Sequence, residues 1–181
     1  MEKRTITKSK TLVIALTAFG VLIAVGFIAM VIRNLPGVNI ESGIFKEIGE
    51  MDALNEYVVS DDKPEADKNL KGLTVEAEWV RVVEVDGAKC TVRAYVFGSR
   101  EDAEAYYKKA SGTTARREGY NYFGSAGGFF PGFAKDTRLN ENRVLFITGR
   151  SLADIKKVMN AFFEANPGSI LVYDKDEGVY H

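Results

Sequence analysis

The chain has one cysteine, Cys90, and one histidine, His181, its last residue. Nucleophile–imidazole catalysis needs a histidine held inside a fold, and the usual zinc sites need several nitrogen or sulfur ligands together. A lone histidine at the chain end, read as a disordered terminus, supplies neither. One thiol cannot form an intramolecular disulfide. Carboxylates are plentiful, 25 Asp plus Glu, but no spacing singles out an acid and base pair for glycoside hydrolysis. Asp61, Asp62, Glu65 and Asp67 crowd one short segment, yet they lack the alternating Asp/Asn ligands and closing Glu of a calcium loop. No nucleotide motif occurs. The expectation is a non-enzyme with no catalytic residue, no metal ligand and no cofactor.

Two groups of residues have the composition of binding surfaces. Gly124, Gly127, Gly128, Phe129, Phe130 and Phe133 lie in one ten-residue stretch. The glycines free the backbone, while the phenylalanines are costly to leave in water. Such a stretch either folds its aromatics back as a plug of the core or presents them to a ligand or partner. Arg116 and Arg117, with Lys108, Lys109 and Arg138, form a candidate basic patch for an anionic polymer, lipid or acidic partner, against the plainer reading of a solvated helix end and loop. The whole chain, with 24 Lys plus Arg and a formal net charge of −1, is not a broadly basic nucleic-acid binder, so no nucleic-acid partner is expected. Cys90 falls on the apolar face of a strand, where it acts as a small hydrophobe. Trp79 on that face reads as a core anchor.

The elements that hold these residues divide the chain. Residues 1–10 carry Lys3, Arg4, Lys8 and Lys10 against Glu2, and residues 11–32 carry no charge. A helix of that length is about 33 Å long, enough to cross a hydrocarbon core of about 30 Å. The run includes Thr11, Leu12, Val13, Ile14, Ala15, Leu16, Gly20, Gly26 and Ile32. It is longer than a cleavable signal's apolar core, and it lacks the polar face of a soluble amphipathic helix. The sequence therefore predicts an uncleaved transmembrane signal-anchor, with residues 1–10 as a cytoplasmic stub by the positive-inside tendency. Residues 33–43 would be a stalk and residues 44–181 an extracytoplasmic domain on a bacterial cell membrane, making a single-pass protein.

In that domain Ile44, Phe45, Ile48, Met51, Leu54, Tyr57 and Val58 predict a helix capped by Ser42. Residues 60–72 read as a loop. Two strand-like runs between Leu73 and Phe97 flank Asp86-Gly87, the pair favoured in a type I′ hairpin turn. Pairing Val85 with Ala88 puts Val75, Ala77, Trp79, Val83 and Val85 on one face with Cys90, Val92, Ala94 and Val96. Ser99 caps a helix with Ala103, Tyr106, Tyr107 and Ala110 inside. Residues 143–148 read as a strand, partnered by residues 120–123, and Ser151 caps a second helix ended by Asn166-Pro167-Gly168. Ile170 to Tyr173 reads as a last edge strand. The fold class expected is α+β, a two-layer domain with an antiparallel sheet and helices on one face, in a possible tandem ββα arrangement.

Function follows only as far as a class. The expectation is a non-catalytic binding or interaction domain, an accessory subunit whose partner meets the span at Gly20 and Gly26 or meets the domain. The alternatives are a ligand-binding or sensor module with the aromatic glycine stretch as its mouth, and a carboxylate- or serine-based hydrolase.

Overall fold

The computed structural model describes residues 17, 19–21, 23, 38–111, 116–118, 121–127 and 133–181, the segment 116–118 by its backbone alone. Two compact units are present, Met1–Gly37 and Val38–His181. In the first, the described residues Thr17, Phe19, Gly20, Val21 and Ile23 are helical.

The second unit is built on a sheet of β1 (Val75–Val85), β2 (Ala88–Phe97), β3 (Arg116–Glu118), β4 (Asn121–Gly127), β5 (Ala134–Asn140) and β6 (Arg143–Gly149). The order is β1-β2-β6-β5-β4-β3 and every pair is antiparallel. The β1–β2 hairpin turns at Asp86 and Gly87, whose φ angles of 49° and 73° are those of the type I′ turn. Its register is the one the turn dictates, with Val85 opposite Ala88 and Glu84 opposite Lys89. It slips at Glu76, so Val75 stands opposite Phe97 and leaves the face assigned to it from alternation. Val75 packs instead against the cluster that contains Tyr95, Phe97 and Tyr106.

Helices cover both faces of the sheet, which corrects the two-layer expectation. α1 (Arg100–Ser111) lies over one face, where Tyr95, Phe97, Leu139, Val144 and Phe146 meet Ala103, Tyr106 and Tyr107. α2 (Leu152–Ala165) and a 3-10 helix (Ile48–Tyr57) lie over the other, against Cys90, Val92, Ala94, Leu145 and Ile147. The physical reason is visible in β6: Val144, Leu145, Phe146 and Ile147 are all buried, the continuous apolar run of a strand covered on two sides. The tandem ββα arrangement is corrected with it. A two-fold axis through the sheet that superposed β1–β2 on β5–β6 would place both following helices on one face, and they lie on opposite faces.

Three further expectations change. The predicted first helix is 3-10, and Ile48, Met51, Leu54 and Tyr57 recur at every third residue, the period of that helix. Ser42 does not cap it; the Ser42 hydroxyl donates to Tyr180 and its carbonyl accepts from Leu171 N. The partner of β6 on its far side is β5, not residues 120–123, which belong to β4 one strand further out. The chain end is ordered: β7 (Tyr173–Asp174) pairs with β8 (Val179–Tyr180), and His181 and Val172 exchange backbone hydrogen bonds at 2.9 and 3.1 Å. That hairpin is a separate two-stranded sheet rather than an edge of the main one.

The transmembrane expectation is also corrected. Among the described residues no helix is long and apolar enough to cross a membrane. Lack of charge is a property of composition alone. A span needs in addition an unbroken helix of about 20 residues that satisfies its own backbone polar groups. The signal-anchor, the single-pass topology with its cytoplasmic amino terminus and extracytoplasmic domain, and the cell-membrane localisation all rested on that helix and are set aside. Of its named positions Gly20 is described; Thr11, Leu12, Val13, Ile14, Ala15, Leu16, Gly26 and Ile32 lie outside the described residues.

The junction of β2, β6 and α2 is packed tightly enough to make a single methyl costly. Gly149 stands opposite Cys90, and a Cβ there would lie 2.7 Å from the cysteine Sγ and 3.5 Å from Ile155 Cγ1. Gly149→Ala is expected to cost about 1–3 kcal/mol in urea unfolding, the usual penalty of overpacking. Cys90→Ala in the same chain should restore part of the loss. An unaltered midpoint for Gly149→Ala would show that the thiol simply rotates away.

Candidate functional site

Among the described residues a cleft lies at one end of the sheet, where the β1–β2 hairpin, the start of β5 and the exit of β6 converge. Its volume is about 470 Å³. β2 brings Lys89, Thr91 and Arg93, β6 and its exit bring Thr148 and Arg150, and the loop 60–67 closes one side with Asp62, Lys63, Pro64 and Glu65. Thr91 and Thr148 are direct cross-strand partners. Phe133, 54% exposed at the entry to β5, forms an apolar wall.

A buried carboxylate holds the loop in place. Asp67, only 6% exposed, accepts a 2.5 Å hydrogen bond from the Tyr106 hydroxyl and a longer one, 3.4 Å, from Tyr95. Its second oxygen accepts from Asn69 N at 2.9 Å. The Arg93 guanidinium lies beside it, with Nε 3.7 Å from Asp67 Oδ2, and Arg93 Nη2 donates to the Glu65 carbonyl at 3.2 Å. Phe146 lies 6.0 Å below the same guanidinium. Burial first, and then the Asp67 carboxylate, pushes the Tyr95 and Tyr106 hydroxyls well above the ordinary tyrosine range. Both therefore remain neutral donors. At the outer end of the loop Asp62 forms an ion pair with Lys89. The acidic cluster read from the sequence thus resolves into two separate anchors.

Cys90 borders the cleft but is 1% exposed, and burial pushes its thiol up to about 12. It stays protonated at neutral pH and is no nucleophile. Trp79 is a core residue whose indole donates to Asn55 Oδ1 at 3.3 Å. Arg81, unexplained on the apolar face, is exposed, donates to the Val80 carbonyl at 2.8 Å and lies 5.8 Å from the Trp79 ring.

The aromatic glycine stretch is the β4–β5 hairpin. Gly124 is buried within β4, and Gly127 closes the ladder opposite Ala134. Gly128, Phe129 and Phe130 lie outside the described residues. Phe133 does not plug the core; it faces the cleft. Of the candidate basic patch, Arg116 and Arg117 are consecutive positions of edge strand β3. Lys109 donates to the carbonyls of Asn69 and Lys71 at 3.3 and 3.4 Å.

Arg138, expected in that patch, is 3% exposed and forms an ion pair with Asp136 at 2.7 Å on the α2 face of the sheet. Ser125 Oγ donates to Asp136 at 2.5 Å, and Arg138 Nη1 donates to the carbonyls of Glu41 and Gly43 at 2.6 and 2.7 Å. This pair fastens the segment before the 3-10 helix to the sheet.

A second cleft, about 540 Å³, borders the carboxyl-terminal hairpin. Its polar groups answer one another: Asn140 donates to Asn121, Asn121 to the Tyr180 carbonyl, and Glu141 pairs with Arg143. Beside it Asp174, Glu177 and His181 bring ligand atoms within 4.8 Å of one another, a donor set suited to a divalent ion. The same groups satisfy themselves, His181 Nε2 with Glu177 at 2.9 Å and Asp174 with the amides of Asp176 and Glu177. Those two amide hydrogen bonds hold the Asp174 carboxyl below its ordinary range. Only the hairpin fold, invisible in the local pattern, brings the three together.

No family model matches the chain, and no curated protein matches it. Function must be argued from the site alone. Of the two clefts, the one at the sheet end is the better candidate, although it is the smaller. Its threonine hydroxyls have no partner among the described residues, and its apolar wall is held in solvent.

Proposed function

We propose that the domain of residues 38–181 is a non-catalytic ligand-binding module whose mouth is the cleft between the β2–β6 floor, the loop 60–67 and Phe133. The observation that carries this reading is Phe133. Leaving a phenylalanine half-exposed forgoes about half of the roughly 1.5–3 kcal/mol that full burial supplies, and here it lines a polar-floored space of about 470 Å³, within the range of small-molecule sites. Among the described residues the cleft's one thiol, Cys90, is buried and held protonated, which favours binding over turnover.

The test is nuclear magnetic resonance of the labelled protein against a mixed set of anionic, neutral and cationic aromatic fragments. Amides of residues 62–65, 89–93, 133 and 148–150 are expected to move together. Shifts confined to the carboxyl-terminal hairpin, or none with any fragment, would refute the assignment.

A further inference from the structure

We propose that the cleft seats an oxyanion, the carboxylate or phosphate end of its ligand, on Thr91 and Thr148 with Arg93 and Lys89 beside them. This rests on reading the cleft as the binding site and adds the chemical class of what enters it. Four cationic side chains line the cleft, Lys63, Lys89, Arg93 and Arg150, against two carboxylates, Asp62 and Glu65.

Arg93 is already oriented. Its Nη2 is spent on the Glu65 carbonyl, its Nε faces Asp67, and its central carbon lies over the Phe146 ring at 6.0 Å from the ring centre. Nη1 has no partner among the described residues. A guanidinium fixed in this way loses little freedom when it takes an oxyanion. The two threonine hydroxyls, side by side across the β2–β6 ladder, are half-buried donors with nothing to donate to among the described residues.

The loop itself supplies an internal analogue. Asp62 lies on Lys89, so one carboxylate already occupies the edge of the position that a ligand's oxyanion would take. The Lys89 ammonium is held charged by that partner, chiefly through the hydrogen bond between them. An incoming anion therefore competes with Asp62, and affinity should rise when Asp62 is neutralised. Phe133 at the same mouth suits an aromatic or apolar body behind the charged end.

The test is titration of the whole chain with three probes of similar shape, phenyl phosphate, benzoate and benzyl alcohol, followed by amide shifts at Thr91 and Thr148. The two anions are expected to bind in the cleft, their ratio telling phosphate from carboxylate, and benzyl alcohol at least about tenfold more weakly. Lys89→Gln and Thr148→Val should each weaken the better anion about three- to tenfold, and Asp62→Asn should strengthen it several-fold, with unfolding midpoints unchanged. Added salt should weaken the anions and leave the alcohol alone. Benzyl alcohol binding as well as the anions would overturn the oxyanion assignment while leaving the cleft as the site. Failure of all three probes to move these amides would remove both.

Discussion

Arg138→Met is expected to cost about 3–5 kcal/mol of stability, the range for removing one partner of a buried ion pair. The guanidinium holds Asp136 at 2.7 Å and the Glu41 and Gly43 carbonyls at 2.6 and 2.7 Å, and its charge lies 5.7 Å from the centre of the Phe163 ring. Methionine would fill much of the space and supply none of the donors. Asp136 would keep the Ser125 hydroxyl but lose its counter-charge. Urea unfolding followed by Trp79 fluorescence reads the effect, and most small domains have only about 5–15 kcal/mol in total. A second substitution, Asp136→Leu, should return part of the loss by removing the stranded carboxylate. Full recovery is not expected, because the two carbonyls near residue 42 would still lack donors. A loss under about 1 kcal/mol for Arg138→Met would mean that the pair behaves as a surface salt bridge.

Asp67→Ala is expected to cost about 2–4 kcal/mol and to loosen the wall of the cleft. One carboxylate serves two tyrosine hydroxyls, the Asn69 amide and the Arg93 guanidinium, and its removal leaves buried donors and a mostly buried charge unanswered. Tyr106→Phe removes one donor and leaves the carboxylate its other three partners, so about 1 kcal/mol is expected. Limited proteolysis separates the local effect from the global one. In Asp67→Ala residues 60–67 should be cut well before the rest of the domain, whereas Tyr106→Phe should cleave as the parent does. Equal protection of the loop in both variants would show that Asp62 and Lys89 hold it without Asp67.

These two networks explain where sequence reading stopped. β5 reads Ala-Lys-Asp-Thr-Arg-Leu-Asn, a polar segment with weak strand propensity. Asp136, Thr137 and Arg138 are nevertheless among its most buried residues. Charge makes such a segment look like a loop unless the partner is known, and the partners of Arg138 beyond its own strand lie 95 and 97 residues earlier. Asp67 likewise reads as one acid in an acidic loop. Its chief partner is a tyrosine 39 residues away that helical spacing had assigned simply to the apolar side of a helix. Phe133 is the converse case: the sequence left open whether its phenylalanine plugs the core or meets a ligand, and the fold leaves it 54% exposed at the edge of the cleft.

What was local was legible. Asp86-Gly87 sets the β1–β2 turn and its register because a type I′ turn needs two positive φ angles in adjacent residues. Ser99 and Ser151 cap the two α-helices by accepting from amides three residues on, at 3.1 and 3.2 Å. Only the tertiary structure decided that both faces of the sheet are covered, that β5 lies between β4 and β6, and that Thr91, Thr148, Arg93 and Phe133 share one cleft. The physical reason is that periodicity records which side of a strand is apolar. It does not record which distant group will answer a buried charge, and in this domain those answers place the segment 38–45 against the sheet and the loop 60–67 over the floor of the cleft.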